Sequence, residues 1–329
     1  MAPLEQSEKD EIAANILQQL ASTPFACSSL LQLTNGTTNF VFRGTLIRPV
    51  PSPEGSGAVE TVIVKHSSEF AAVNKDLPIH VSRCIAEESM LNALKEFHYD
   101  SHHAQVKVPH LYLFDRETST QVLEDIPGVV DLKTIFVSPN ANDVLSKPLA
   151  TSIGRALGSW LRAFHAWASA PAQSHLCANA EMGTNELMRK LKYFITYGSF
   201  IEVLEKFPDV IGDHKKSLQE VQHMAIKEFE KTASGDGDGR EEWGLIHGDF
   251  WTGNVLFPES RFREEKTKLF IVDWEFAQYG HRAYDIGQMI GDMYERKHFK
   301  GVEGAIWAID GFIDGYGPPG LHGSERQTL

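Results

Sequence analysis

The sequence predicts an α+β fold in two lobes, an antiparallel-sheet N-lobe with one helix (residues 1–125) and a mainly helical C-lobe (residues 126–329). Runs rich in β-branched and aromatic residues crowd the first part, at Leu31–Leu33, Phe40–Ile47, Val59–Lys65, Val108–Phe114 and Gln121–Glu124. After Asp125-Ile126-Pro127-Gly128 the apolar residues recur at helical spacing instead. A length of 329 residues, 42% hydrophobic and 23% charged, suits a folded chain with a sizeable core and excludes a fibrous repeat.

In order along the chain, residues 8–21 place Ile12, Ile16, Leu17 and Leu20 on one helical face, and Ser22-Thr23-Pro24 stops the helix. The small polar run from Thr34 to Asn39 joins the first two strands, and the Pro- and Gly-rich run 49–57 reads as a hairpin loop before the third. One helix interrupts the sheet over 82–98, where Ile85, Met90, Leu91, Leu94 and Phe97 are periodic. In the C-lobe, Ile153, Leu157, Trp160, Leu161, Phe164 and Trp167 make a core face of a helix over 144–168, with further helices over 185–206 and 213–232. A flexible connection at 234–242 precedes strand-like pieces at Leu245-Ile246, Val255–Phe257 and Leu269–Val272. A last helical zone spans 283–315, and a polar tail after Gly317 is expected to be mobile. The two lobes are expected to form a cleft.

Composition removes several functions. A formal charge of -13 argues against a nucleic-acid partner. Cys27, Cys84 and Cys177 are widely spaced and unpaired in pattern, so neither a disulfide framework nor a zinc site is expected, and the fourteen histidines show no ligand spacing. The acidic, amphipathic N-terminus lacks the character of a signal peptide, and no run is apolar enough to cross a membrane. A cytoplasmic protein is expected.

The chemistry-bearing string is His247-Gly248-Asp249-x4-Asn254, on a loop between two apolar pieces; nineteen residues after Asn254 a strand ends in Asp273-Trp274-Glu275. Phosphoryl transfer needs a divalent cation on the phosphates, Mg2+ prefers oxygen ligands, and Asn254 and Asp273 are two. Asp249 would then face the acceptor hydroxyl, orient it and take its proton, with His247 holding the loop. In the N-lobe the same reaction asks for a cation: Lys65 ends a strand, and Glu87 or Glu88 opens the helix that follows, the spacing favouring Glu87. The loop carrying Thr37 and Asn39 suits phosphates, and the backbone of Glu124 to Ile126 suits an adenine.

Taken in order, Asn39-Phe40-Val41-Phe42-Arg43, Lys65, Glu87, Glu124-Asp125, His247-Gly248-Asp249-x4-Asn254 and Asp273-x-Glu275 resemble the aminoglycoside phosphotransferase and choline kinase superfamily, over residues 30–300. The resemblance implies a protein-kinase-like fold that moves the ATP γ-phosphate to a small-molecule hydroxyl. It implies that Lys65 meets the α- and β-phosphates, Glu87 orients Lys65, Asp249 is the catalytic carboxylate, and Asn254 and Asp273, with Glu275, serve Mg2+. The stretch from Asp273 to Gly287 resembles both choline/ethanolamine kinases and methylthioribose kinases. Within it, Arg282 is expected to meet substrate or a structural ion pair, and Asp285 to anchor the catalytic loop. Trp307, Phe312 and Tyr316 are expected in the core rather than in a cage for a quaternary ammonium. The acceptor stays open, and the short stretch after Asp285 keeps a rival reading alive, a nucleotide-binding interaction protein without turnover. A protein-kinase reading comes third, disfavoured by the missing Gly-x-Gly-x-x-Gly, Asp-Phe-Gly and Ala-Pro-Glu motifs.

Overall fold

Alternation of inward and outward side chains builds the first sheet. In the computed structural model, which describes residues 4–33, 36–52, 55, 57–99, 104–173, 185–230, 242–258 and 267–317, helix α1 (Gln6–Leu20) leads into strands β1 (Cys27–Leu33), β2 (Phe40–Pro51) and β3 (Ala58–His66). A short hairpin, β4 (Phe70–Ala71) and β5 (Asn74–Pro78), precedes helix α2 (Arg83–Ala93). Beyond β6 (Ala104–Lys107) come β7 (Leu111–Asp115) and β8 (Thr120–Glu124), and the antiparallel five-stranded order is β1-β2-β3-β8-β7. Phe40, Phe42, Val62, Val64 and Val122 point to one face and join Ile16 and Leu20 of α1 in a single apolar cluster. The expected strand at Val108 starts instead at Leu111, because Pro109 has no N–H to give a ladder.

The chain divides into two compact units, Met1–Glu96 with Val108–Val129, and Phe97–Lys107 with Val130–Leu329. The sequence placed all of 1–125 in the first. Segment 97–107 belongs to the second because β6 pairs in parallel with a C-terminal strand, β12, described next.

The second unit holds all but the first residue of β9 (Val129–Asp131), then α3 (Leu132–Val137), α4 (Lys147–Ala168), α5 (Glu186–Tyr193), α6 (Lys215–Glu230), β10 (Trp243–Ile246), β11 (Val255–Pro258), β12 (Thr267–Ile271), β13 (Gln278–His281), α7 (Ala283–Lys300) and α8 (Glu303–Tyr316). Its strands form a sheet of order β6-β12-β11-β9 and a ribbon β10-β13. The single helical zone expected at 283–315 is two helices. Gly301 takes φ 65°, the left-handed cap that ends α7 after the basic turn Lys297-His298. The helix expected at 185–206 is interrupted as well, by a π turn over Phe194–Gly198 before a short piece at Phe200–Leu204. Thr34, Asn35, Cys177, residues 234–241 and the tail from residue 318 lie outside the described residues.

The face of α4 supplies the core beneath the loops that matter. Trp160 stacks on Phe164 (5.6 Å between centroids) and on Phe250 (5.9 Å), and Phe164 meets Trp274 at 5.3 Å. Against the same helix α8 packs glycine on backbone. A Cβ added at Gly154 would stand 1.9 Å from the Ala308 carbonyl oxygen, and one added at Gly311 2.2 Å from that of Thr151. Gly158 and Gly315 are enclosed in the same way. No described helix is long and apolar enough to cross a membrane.

Candidate active site

Lys65 sits near the end of β3, in register with Val41 on β2 and Gln121 on β8, so its stem is buried by the sheet. Its Nζ donates to Glu87 Oε1 at 2.9 Å and lies 2.7 Å from Oε2, both side chains nearly closed to water. Glu88 turns the other way and accepts from Arg116 at 2.6 Å. Asn39 is buried, and its Oδ1 accepts from Ser67 Oγ (2.8 Å) and Arg83 Nη2 (2.9 Å). The carbonyl of Thr37 accepts from Val73 N–H at 3.2 Å, tying this loop to the β4–β5 hairpin. Glu124 closes a ring with His110, donating its N–H to the His110 carbonyl (2.8 Å) while Oε2 accepts from His110 N–H (3.1 Å). Asp125 takes a bidentate pair from Arg43 at 2.8 and 3.0 Å, and Ile126 is half-buried in the extended stretch that follows.

In the second unit β10 delivers His247-Gly248-Asp249. Gly248 has φ 78°, and a Cβ there would stand 2.2 Å from the Phe276 carbonyl oxygen, so the turn admits only glycine. Asp285, fully buried at the start of α7, holds the loop by its backbone: Oδ2 accepts from His247 N–H (2.8 Å) and Oδ1 from Gly248 N–H (2.9 Å). Its Oδ2 also meets His165 Nε2 at 3.1 Å, and His165 Nδ1 meets the Tyr316 hydroxyl at 3.0 Å. A relay therefore runs from the end of α8 through α4 to the loop. His247 donates from Nε2 to the Val272 carbonyl (3.1 Å) and accepts Asp249 N–H at Nδ1 (3.2 Å), which uses both ring nitrogens of the neutral form. Burial pushes its pKa below the ordinary value, against the pull of Asp285 and Asp249. His247 is thus a brace and not a base.

The Asp249 carboxylate is gripped on both oxygens. Oδ1 accepts from Lys192 Nζ at 2.6 Å and Gln288 Nε2 at 2.7 Å, and Oδ2 from Asn254 Nδ2 at 3.0 Å and Trp251 Nε1 at 3.2 Å. Burial would raise its pKa, but the Lys192 ammonium, the bonds from Lys192 and Gln288 and the neighbouring His247 outweigh that and hold it below the usual carboxylate value. Asn254 keeps its NH2 end on Asp249, so Oδ1 is the end a cation would meet. Its carbonyl accepts from Val272 N–H at 3.0 Å, which brings the residue before Asp273 beside it. Asp273 adopts φ 68°, ψ 65°, a strained choice for a side chain with a Cβ. Glu275 is buried, and its carbonyl accepts from Asn185 Nδ2 at 2.9 Å. Among the described residues no group of three His, Cys, Asp or Glu side chains has metal-holding geometry. The amide oxygen of Asn254 and the carboxylate of Asp273 still fit Mg2+, which takes hard oxygen donors, keeps water and phosphate oxygens, and needs few protein ligands.

Arg282 stays inside its unit: Nη2 donates to Ser169 Oγ (2.5 Å) and to the His165 carbonyl (3.3 Å), clamping the end of α4. Phe312 is buried and Tyr316 serves the relay, so neither belongs to a cage; Trp307 is half-buried on α8.

Sequence reasoning missed Lys192, Gln288 and Asn185. Gln288 stands three residues after Asp285, on the same face of α7, and Lys192 stands four after the buried Met188 on α5. Those spacings were the available signals. Lys192, Gln288 and Gly248 also line a cavity of about 320 Å³ whose remaining wall is rich in rings.

The sequence pattern of the phosphotransferase enzyme family matches residues 82–322. Phosphotransferase FrzJ of Cladobotryum sp is 33% identical over 324 residues, covering 94% of this chain and 80% of that one. A 4-hydroxytryptamine kinase of Psilocybe cubensis is 21% identical, covering 90% of this chain and 75% of its own length. A methylthioribose kinase of Geobacillus sp. is 24% identical, covering 82% and 60%.

Proposed function

The chain belongs to the phosphotransferase enzyme family and is a small-molecule kinase, and from that premise we propose that it moves the γ-phosphate of ATP to an acceptor hydroxyl, with Mg2+ and with Asp249 as the base. The observation that carries this is the Asp249 carboxylate, held ionised among Lys192, Gln288 and Asn254 at a cavity of small-molecule size.

In this reading Lys65 meets the α- and β-phosphates, and Glu87 fixes its ammonium so that the charge is pre-aimed. The loop of Thr37 and Asn39 covers the phosphates, and the backbone from Glu124 to Ile126 holds the adenine. Asn254 and Asp273 would hold Mg2+, with Glu275 supporting them, and the cation would supply charge neutralisation at the phosphates. Asp249 accepts a hydrogen bond from the acceptor hydroxyl and aims its oxygen. The bond from that oxygen to Pγ forms as the bond from Pγ to the β,γ-bridging oxygen breaks, and ADP leaves with the bridging oxygen. A carboxylate with a lowered pKa is a weak base, so the proton moves to Asp249 late, once bonding to phosphorus has acidified the hydroxyl, and passes to water.

Asp249→Asn is expected to lower transfer by about 10²–10⁴-fold with its fold intact. ADP release measured across an acceptor panel, with circular dichroism as the control, checks this. A variant that turns over at the wild-type rate overturns the role of Asp249. The acceptors named in the relatives differ from one another, so no single one passes to this chain.

A further inference from the structure

We propose that Asp292 is a positioning residue for the Mg2+ of the proposed reaction, acting through Thr252 and the turn that carries Asn254; this rests on the kinase reading above. Asp285, Gln288 and Asp292 stand at i, i+3 and i+7 on α7, one face of a helix. They meet the loop in the order of its own sequence. Asp285 takes the N–H groups of His247 and Gly248, Gln288 donates to Asp249, and Asp292 Oδ2 accepts from both the N–H (3.3 Å) and the hydroxyl of Thr252. One turn further along α7, Arg296 Nη2 donates to Asp292 Oδ1, so both oxygens are engaged and the side chain is nearly closed to water.

Thr252 is fully buried and opens the single 3-10 turn Thr252–Asn254. In that turn Asn254 N–H donates to the Trp251 carbonyl (3.0 Å), and the Thr252 carbonyl accepts from Val255 N–H. The Asn254 carbonyl takes Val272 N–H, and its side-chain NH2 goes to Asp249. Of the polar atoms of Asn254, Oδ1 is left to meet a cation, and its direction is set by the turn it stands on. The face of α7 thus divides the work: Asp285 and Gln288 fix the part of the loop with the base, and Asp292 fixes the part with the cation's ligand. Without Asp292 the turn keeps its internal bonds but loses the anchor that aims it. Mg2+ uses few protein oxygens and demands near-ideal octahedral geometry, so it is sensitive to that aim. Groups that orient a metal ligand without touching the metal are worth about 10–100-fold in metal affinity.

The test measures AMP-PNP binding to the full chain by calorimetry, once with Mg2+ and once with EDTA, in wild type, Thr252→Val, Thr252→Ser and Asp292→Ala. Mg2+ is expected to tighten binding to the wild-type chain by about tenfold or more. Thr252→Val, which removes the hydroxyl at nearly constant shape, is expected to cut that gain by about tenfold, and Asp292→Ala by at least as much. Affinity in EDTA should stay at the wild-type value in each, and Thr252→Ser, which keeps the hydroxyl, should keep the gain. A full Mg2+ gain in Thr252→Val, or in a folded Asp292→Ala, overturns the inference. Equal losses with Mg2+ and with EDTA overturn it too, because a merely structural role would weaken both. A wild-type chain whose AMP-PNP affinity ignores Mg2+ overturns the metal site of the kinase reading and the inference with it, and one that does not bind AMP-PNP overturns the kinase reading itself.

Discussion

Lys65–Glu87 in the first unit and Lys192–Asp249 in the second are the same chemical pair in different surroundings. The first has side chains 7% and 3% exposed, seated between a strand and a helix; the second has 21% and 20%, at the edge of a cavity. Where water is excluded, losing one partner strands a charge in a medium that cannot solvate it, at a cost of about 3–5 kcal/mol. Where some water reaches, part of the same loss is answered by solvent, and the cost falls between that figure and the about 0–1 kcal/mol of a fully exposed pair. The dry pair therefore behaves as scaffold. The wet pair can be undone and remade as a ligand enters and leaves, while its electrostatic influence on Asp249 persists.

The largest effect should come from the dry pair. Lys65→Met is expected to cost about 3–5 kcal/mol in urea unfolding, and the double change Lys65→Met with Glu87→Leu to recover much of it. A single variant within about 1 kcal/mol of wild type would break the comparison. Acid offers the second handle, because the Asp249 loop rests on His165 and His247, both pushed below the ordinary histidine pKa by burial. The unfolded chain takes up those protons near about pH 6.5 and the folded chain only at lower pH, so their stability is complete above that value and is lost as pH falls below it, by up to about 1.4 kcal/mol per unit for each group. The melting temperature is expected to drop between pH 7.5 and 5.5, and less steeply in His247→Gln; an identical slope removes His247 from the account. The smallest stability effect belongs to the wet pair. Lys192→Met is expected to cost less stability than Lys65→Met, yet to move the acidic limb of kcat/KM to higher pH, because Asp249 loses the partner that keeps it ionised. Lys192→Arg should bring the limb back. A limb that stays put in Lys192→Met would show that Gln288, Asn254 and Trp251 suffice to hold the charge.

What the sequence made legible follows from how local each signal is. The α+β organisation and the family were readable because the apolar runs of the main strands and the period of the long helices are local signals, and because the Asp249 loop is written in consecutive residues. β6, β9 and β13 were not: β6 and β13 are four residues long and, unlike the equally short β10 and β11, carry no apolar run to mark them, and β9 is only three residues long. The break at Gly301 was available and passed over: a basic turn followed by glycine is a stop signal. The grip on Asp249 was hidden for another reason. Lys192 stands 57 residues before it and Gln288 39 after, and nothing in either neighbourhood names a distant partner. The same holds for Asn185, which ties α5 to the carbonyls of Glu275 and Ala277 at 2.9 and 3.0 Å.

The seam of Gly154, Gly158, Gly311 and Gly315 reaches further than packing. Because the relay from Tyr316 through His165 to Asp285 starts on one of those helices and crosses the other, the seam sets where the Asp249 loop sits. Under random drift an aromatic core can trade one ring for another of similar volume, but these four positions have no neighbour in sequence space except through collision with backbone. A substitution at any of them would be felt at the Asp249 loop, although none contributes a side chain to the chemistry.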